Sequence, residues 1–156
     1  MPIHYLKGDA TDPKGEGIKI VAHVCNDVGM WEAGFVLSLK KWPMTKTAYR
    51  QPFIAGRPMQ LGDVQLVPVE DNVIVANMVA QNGVAWNPKN PTIRYNELSK
   101  CLNQVVSYAT KHAASIHMPR IGCGIACGDW KDVELVIKTA LNSNGDEVDV
   151  FVYDLK

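Results

Sequence analysis

A chain of 156 residues with 47% hydrophobic and 21% charged side chains can bury one sizeable core but is short for two typical domains. Sixteen basic and sixteen acidic side chains cancel, which argues against nucleic acid or an anionic membrane surface as a partner held by bulk charge. Met1-Pro2-Ile3-His4-Tyr5 is not a basic segment leading into an apolar run, and no stretch stays apolar for the ~20 residues that span a bilayer, so a soluble, cytoplasmic monomer is expected.

In chain order, apolar and β-branched clusters predict strands near Ile3 to Lys7 and Ile18 to Val24. A helix starts near Ala33, carries Phe35, Val36 and Leu39, and stops at Pro43; another covers Thr45 to Phe53. Strands Asp63 to Val69 and Val73 to Val79, separated by Glu70-Asp71-Asn72, read as a hairpin. Leu98, Leu102, Val105, Val106, Ala109 and Ala113 then recur at three- and four-residue spacing along one helical stripe. A strand at Ser115 to Pro119 precedes a helix that opens at Trp130 behind the N-cap Asp129, with Gly145 beyond its end, and Val148 to Tyr153 is the last strand. Ile18-Lys19-Ile20-Val21-Ala22 and Val73-Ile74-Val75-Ala76 are near-continuous apolar runs, as strands covered on both faces require. The hairpin makes the sheet mixed. These elements predict a single α/β domain over residues 1–156, a three-layer α/β/α sandwich, with no repeat or linker to divide it.

Cys25, Cys101, Cys123 and Cys127 do not form a secreted disulfide framework, and reduced thiols are expected. Cys123 and Cys127 with His117 or His23 lack the paired Cys/His couples of structural zinc sites, so no metal or cofactor is expected. Two segments suit a ligand at the carboxyl ends of strands: Asn26-Asp27-Val28-Gly29-Met30-Trp31-Glu32-Ala33-Gly34, and Arg120-Ile121-Gly122-Cys123-Gly124-Ile125-Ala126-Cys127-Gly128. Neither is a Walker loop, and Gly122, Gly124 and Gly128 miss the dinucleotide fingerprint by one residue. Facing each other, two such loops would hold a diphosphate on backbone N–H groups; alone, each would serve only as a tight turn.

His23-Val24-Cys25-Asn26, Gly29-Met30-Trp31, Gly34-Phe35, Met118-Pro119-Arg120-Ile121-Gly122-Cys123-Gly124 and Asp129-Trp130 together resemble the macro domain family. The likeness runs from Tyr5-Leu6-Lys7-Gly8-Asp9 to Val152-Tyr153-Asp154-Leu155, and is narrowest to the branch holding the vertebrate terminal ADP-ribose protein glycohydrolase and the yeast ADP-ribose 1″-phosphate phosphatase. The resemblance implies a pocket for ADP-ribose or a derivative, with an ADP-ribosylated protein as a further partner. It places Asp9, with Ala10, at the adenine amino group, and Tyr153 to Leu155 along the adenine side. Gly34, Phe35 and Val36 would form one phosphate wall; Arg120 and the run Gly122, Cys123, Gly124, Ile125, Ala126 and Cys127 the other. Met30 and Trp31 would lie over the distal ribose, with Asn26 against it.

The implied chemistry is hydrolysis at that ribose, with Asn26 positioning the sugar and His23 or Asp129 accepting a proton. Structural readings stand beside these. Asp9 suits a turn, Asn26 a loop cap, Asp129 a helix cap, and His23 and Cys25, sharing one strand face, core packing. Trp42, Trp86 and Trp130 read as packing anchors. In the glycohydrolase a lysine after the fourth strand and an aspartate in the second glycine loop carry the reaction, whereas this chain has Ala80-Gln81 and Ala126 there, and Glu32-Ala33-Gly34 in place of a richer glycine run. A non-catalytic reader of ADP-ribose is therefore the alternative.

Overall fold

The computed structural model describes residues 3–144 and 147–155. Six strands, β1 (Ile3–Lys7), β2 (Lys19–Asn26), β3 (Val64–Glu70), β4 (Val73–Gln81), β5 (Ser115–Met118) and β6 (Val150–Asp154), form one sheet in the order β1-β6-β5-β2-β4-β3. All neighbouring pairs are parallel except β3 with β4, so the sheet is mixed through the expected hairpin. Asn72 turns that hairpin at φ 64, a left-handed conformation that asparagine tolerates better than most residues.

The helices α1 (Pro43–Ile54), α2 (Tyr95–His112) and α3 (Trp130–Asn144) and a 3-10 helix (Gly34–Lys41) cover the sheet. Strand periodicity sorts the core into two layers. Ile20 and Ala22 pack with Ala76, Met78, α2 and α3 on one face; Val21 and Cys25 pack with Val75, Val79, Tyr49 and Trp42 on the other. Hence β2 and β4 are apolar at consecutive positions. No helix among the described residues is long and apolar enough to cross a membrane.

Several boundaries moved for physical reasons. The helix expected from Ala33 is the 3-10 segment, which Pro43 terminates by opening α1 at its first position. Pro52 stays inside α1, and the carbonyl of Ala48 that its missing N–H abandons accepts instead a 2.7 Å bond from Gln65 Nε2. Asp129 caps α3 as expected, its Oδ1 accepting from Lys131 N at 3.0 Å, while the expected Gly145 stop lies outside the described residues. Trp42 is buried, but Trp86 is 69% exposed and anchors nothing.

Ala113, expected on the buried stripe of α2, is instead its exposed C-cap at φ 53, ψ 42. A left-handed L-residue is strained by roughly 1–2 kcal/mol, and glycine relieves that strain at an entropic cost of roughly 0.5–1 kcal/mol. Ala113→Gly is therefore expected to stabilise the fold by up to about 1 kcal/mol, seen as a rise of roughly 2–4 °C in Tm.

Candidate functional site

Because five strands run parallel, their carboxyl ends share one edge of the sheet, where β2 and β5 each pass into a loop and then a helix. Between these loops lies a cleft with two adjoining lobes of about 230 and 220 Å³, both lined by Val24, Ala33, Val36, Gln81 and Ile125. The outer lobe adds Cys25, Asn26, Met30, Trp31, Glu32 and Val84. The inner lobe adds His23, Gly34, Phe35, Pro119, Arg120, Ile121, Gly122, Gly124 and Ala126.

Asn26 builds the first loop. Its Oδ1 accepts from Val28 N at 3.0 Å and Met30 N at 3.1 Å, and its Nδ2 donates to Met30 O at 2.8 Å. The Tyr49 hydroxyl, 2.6 Å from Asn26 O and 2.8 Å from Oδ1, shares its one proton between them. The loop cap reading thus describes the amide, which nonetheless borders the outer lobe. Asp27 ties the loop to the end of β4, its N donating to Gln81 O at 3.0 Å and its Oδ1 accepting from Gly83 N at 2.8 Å. Trp31 is held behind this loop, 5.4 Å from His23 edge-on and 5.3 Å from Tyr49 between ring centroids.

The second loop closes on itself through Gly128 N to Gly122 O at 2.7 Å and Cys127 N to Gly124 O at 3.0 Å. Ala126 O accepts from Thr92 N and Ile93 N, and Asp129 N donates to the Tyr95 hydroxyl, which pins the loop to its surroundings. Among the described residues, the backbone N–H groups of Cys123, Gly124, Ile125 and Ala126 have no hydrogen-bond partner. Such a run of unpaired N–H groups at the approach to a helix N-terminus suits an anion.

Charged side chains add little to that wall. Arg120 borders the inner lobe, but its guanidinium grips Asp154 in a two-point pair, Nε to Oδ1 at 2.7 Å and Nη2 to Oδ2 at 3.0 Å, and lies 5.2 Å from each of the Tyr5 and Trp130 rings. That pairing holds the Asp154 carboxyl below its usual range. The backbone, rather than a lysine or a free arginine, is the electropositive surface of the inner lobe.

His23 is fully enclosed, and its Nε2 lies 2.5 Å from Asn77 Oδ1. Asn77 Nδ2 in turn donates to Gln65 Oε1 at 3.2 Å and Thr45 O at 3.3 Å, which leaves Oδ1 as the acceptor and makes His23 the neutral Nε2–H tautomer. Burial drops its pKa to about 4. Its Nδ1 is 3.9 Å from Cys25 Sγ, and burial pushes that thiol well up, away from a reactive thiolate.

Of the residues singled out in the sequence, His23, Asn26, Met30, Trp31, Gly34, Phe35, Val36, Arg120, Gly122, Gly124, Ile125 and Ala126 come together around the cleft. Asp9, Ala10, Cys123, Cys127, Asp129, Tyr153 and Leu155 do not line either lobe. Asp9 spends one carboxylate oxygen on Thr11 N and Oγ1, both at 2.8 Å, as a turn residue does. Tyr153 is buried, its hydroxyl accepting from Lys14 N and bonded to His117, and Leu155 is exposed. The exposed Asp129 is turned to the capping of α3. Sequence reasoning set Glu32 in the first loop and left Ala80 or Gln81 open at the end of β4, but gave neither Glu32 nor Gln81 a role at the cleft that both line. Gln81 follows a register shift between Cys25 and Asn26 in the β2–β4 pairing, so strand alternation alone does not predict that it, rather than the buried Ala80, faces the cleft.

A solved structure of a protein of unknown function from Bacteroides thetaiotaomicron is 48% identical, with a TM-score of 0.91 over 98% of both chains. A macrodomain protein from Streptomyces coelicolor is 41% identical, with a TM-score of 0.83 over 97% of this chain and 98% of that one. The Chromodomain-helicase-DNA-binding protein 1-like of Mus musculus is 28% identical over 97% of this chain, which spans only 17% of that protein. The ADP-ribose 1″-phosphate phosphatase of Candida albicans is 26% identical over 87% of this chain and 92% of its own length. The Macro domain family profile matches residues 23–137, which hold both cleft loops and most of the sheet, and the chain belongs to that family.

Proposed function

We propose that this chain binds ADP-ribose and hydrolyses a bond at its distal ribose, taking ADP-ribose 1″-phosphate or an ADP-ribosyl ester carried by a protein. The observation that carries the binding half is the run of unpaired backbone N–H groups over Cys123 to Ala126, of which Gly124, Ile125 and Ala126 line the inner lobe together with Gly34 and Phe35. A diphosphate fits that inner lobe without a cation. The adjoining outer lobe, with Asn26, Trp31 and Gln81, is then left for the distal ribose, and the sheet edge near Asp9 and Tyr153 for adenine. Likeness to the Candida albicans phosphatase supports the same substrate chemistry.

One observation favours a reader that binds without turnover. Gln81 and Ala126 line the cleft where the resembling glycohydrolase has its lysine and aspartate, so a covalent lysyl adduct has no nucleophile here. Titration calorimetry with ADP-ribose, AMP and ATP tests the binding reading, and a preference for ADP-ribose is expected. Equal or weaker binding of ADP-ribose than of AMP would overturn it. Release of phosphate from ADP-ribose 1″-phosphate, or of ADP-ribose from an esterified protein, separates hydrolase from reader.

A further inference from the structure

We infer that Glu32 is the proton acceptor that activates water in the outer lobe, an assignment that rests on the hydrolase reading above. Hydrolysis at a ribose carbon needs a group that takes the proton of the attacking water, placed beside the sugar and free to accept. Among the described residues, the titratable side chains lining the two lobes are His23, Cys25, Glu32 and Arg120.

Three of these are already committed. Arg120 is a cation paired with Asp154. His23 gives its Nε2–H to Asn77 and is sealed from solvent, with Cys25 Sγ 3.9 Å from Nδ1 and 3.8 Å from Nε2. Cys25 is buried against His23 with its thiol protonated. Asp129, the other carboxylate considered, is engaged with the first turn of α3 and lines neither lobe.

Glu32 differs on each count. Its side chain is exposed, it borders the outer lobe with Asn26, Trp31 and Gln81, and among the described residues its carboxylate makes no hydrogen bond or ion pair. The adjacent Trp31, 8% exposed and packed between His23 and Tyr49, anchors the backbone from which it projects. Val24, Met30 and Val84 line the same lobe beside it.

For an ADP-ribosyl ester the step balances without a further reactant. Water oxygen attacks C1″ of the distal ribose as its proton passes to the Glu32 carboxylate. The C1″–O bond breaks, and its electron pair leaves on the carboxylate of the released acid. ADP-ribose forms, and Glu32 returns its proton to solvent.

Glu32→Gln in the full chain is expected to lower kcat on an ADP-ribosylated protein by roughly 100-fold or more, the usual span for a lost general base. Calorimetric affinity for ADP-ribose should stay within about twofold of wild type or improve, since removing the anion relieves repulsion of the diphosphate. Added formate should partly restore turnover in Glu32→Ala, which a merely structural role would not allow. Wild-type kcat in Glu32→Gln would overturn the assignment. So would a raised KM with kcat unchanged, which would make Glu32 a ligand of the ribose hydroxyls. A wild-type protein that binds ADP-ribose yet turns over neither substrate class overturns the hydrolase reading itself, and the assignment with it.

Discussion

Gly128→Ala is expected to weaken ADP-ribose binding by about 100-fold or more. A Cβ built at Gly128 lies 2.5 Å from the carbonyl oxygen of Gly122, the same oxygen that accepts the loop-closing bond from Gly128 N at 2.7 Å. It also lies 3.2 Å from Ile93 Cγ2 and from the Tyr95 hydroxyl. A backbone carbonyl cannot rotate away as a side chain would, so the closure must open. Gly122 has little room to adjust, because at φ 73 its own Cβ position is 2.9 Å from Ile93 Cδ1. Once the loop opens, Gly124, Ile125 and Ala126 lose their place along the inner lobe, and a 100-fold loss corresponds to about 2.7 kcal/mol.

Loss of stability alone also weakens binding, and Gly124→Ala separates the two effects. Its Cβ meets nothing within 4 Å and its backbone is not in the left-handed region, yet Gly124 lines the inner lobe. It should keep the wild-type Tm and still bind ADP-ribose more weakly, as the methyl group enters the space proposed for the diphosphate. Calorimetry and thermal unfolding on both variants check this pair. Wild-type affinity in Gly128→Ala would sink the placement of the diphosphate on this loop.

Strands and helices were legible because their signals are local and repetitive. Twofold apolar periodicity and continuous apolar runs mark β2 and β4, and the stripe from Leu98 to Ala109 marks α2. The failures arose where tertiary contacts decide. Nothing near Pro52 in sequence reveals that Gln65, on another element, takes up the carbonyl that proline abandons. Ala113 satisfies the stripe pattern but is one residue too far along the chain, where the helix has already turned left-handed. The two glycine loops were legible as strand-to-helix turns, and they do face one cleft. Their inner workings were not. Asn26 reads equally as ligand or loop cap until Val28, Met30 and Tyr49 are seen converging on its amide. Glu32 looked like a lost glycine, and only the closed loop puts its carboxylate at the cleft.

Acid is expected to destabilise this protein steeply from about pH 6.5 downward, before its surface carboxylates are protonated. His23 and His117 are both buried with pKa values lowered to about 4, chiefly because burial disfavours the imidazolium. In the unfolded chain each titrates near the ordinary histidine value of 6.5. Between these values the unfolded state binds up to two more protons than the native one, so stability is full above pH 6.5 and falls as pH drops toward 4. One pKa unit corresponds to about 1.4 kcal/mol, so each histidine removes about 2 kcal/mol by pH 5 and about 3 kcal/mol near pH 4. The two sites lie on different faces of the problem: His23 is wired to Asn77 on β4, and His117 to Ser115 and to Tyr153 on β6, so their contributions should add. Together they remove about 6 kcal/mol near pH 4, which reaches the lower end of the ~5–15 kcal/mol that holds an ordinary domain folded. The exposed pairs Arg120–Asp154 and Lys138–Glu134 offer little to offset this. Urea unfolding at pH 7, 6, 5 and 4.5 should show the midpoint falling steeply below pH 6.5, and His23→Leu should cost stability at pH 7 while roughly halving that slope. A midpoint unchanged down to pH 4.5 would mean that the histidines take up protons without unfolding, and that the enclosed Nε2–H tautomer of His23 is not the state that holds the cleft together.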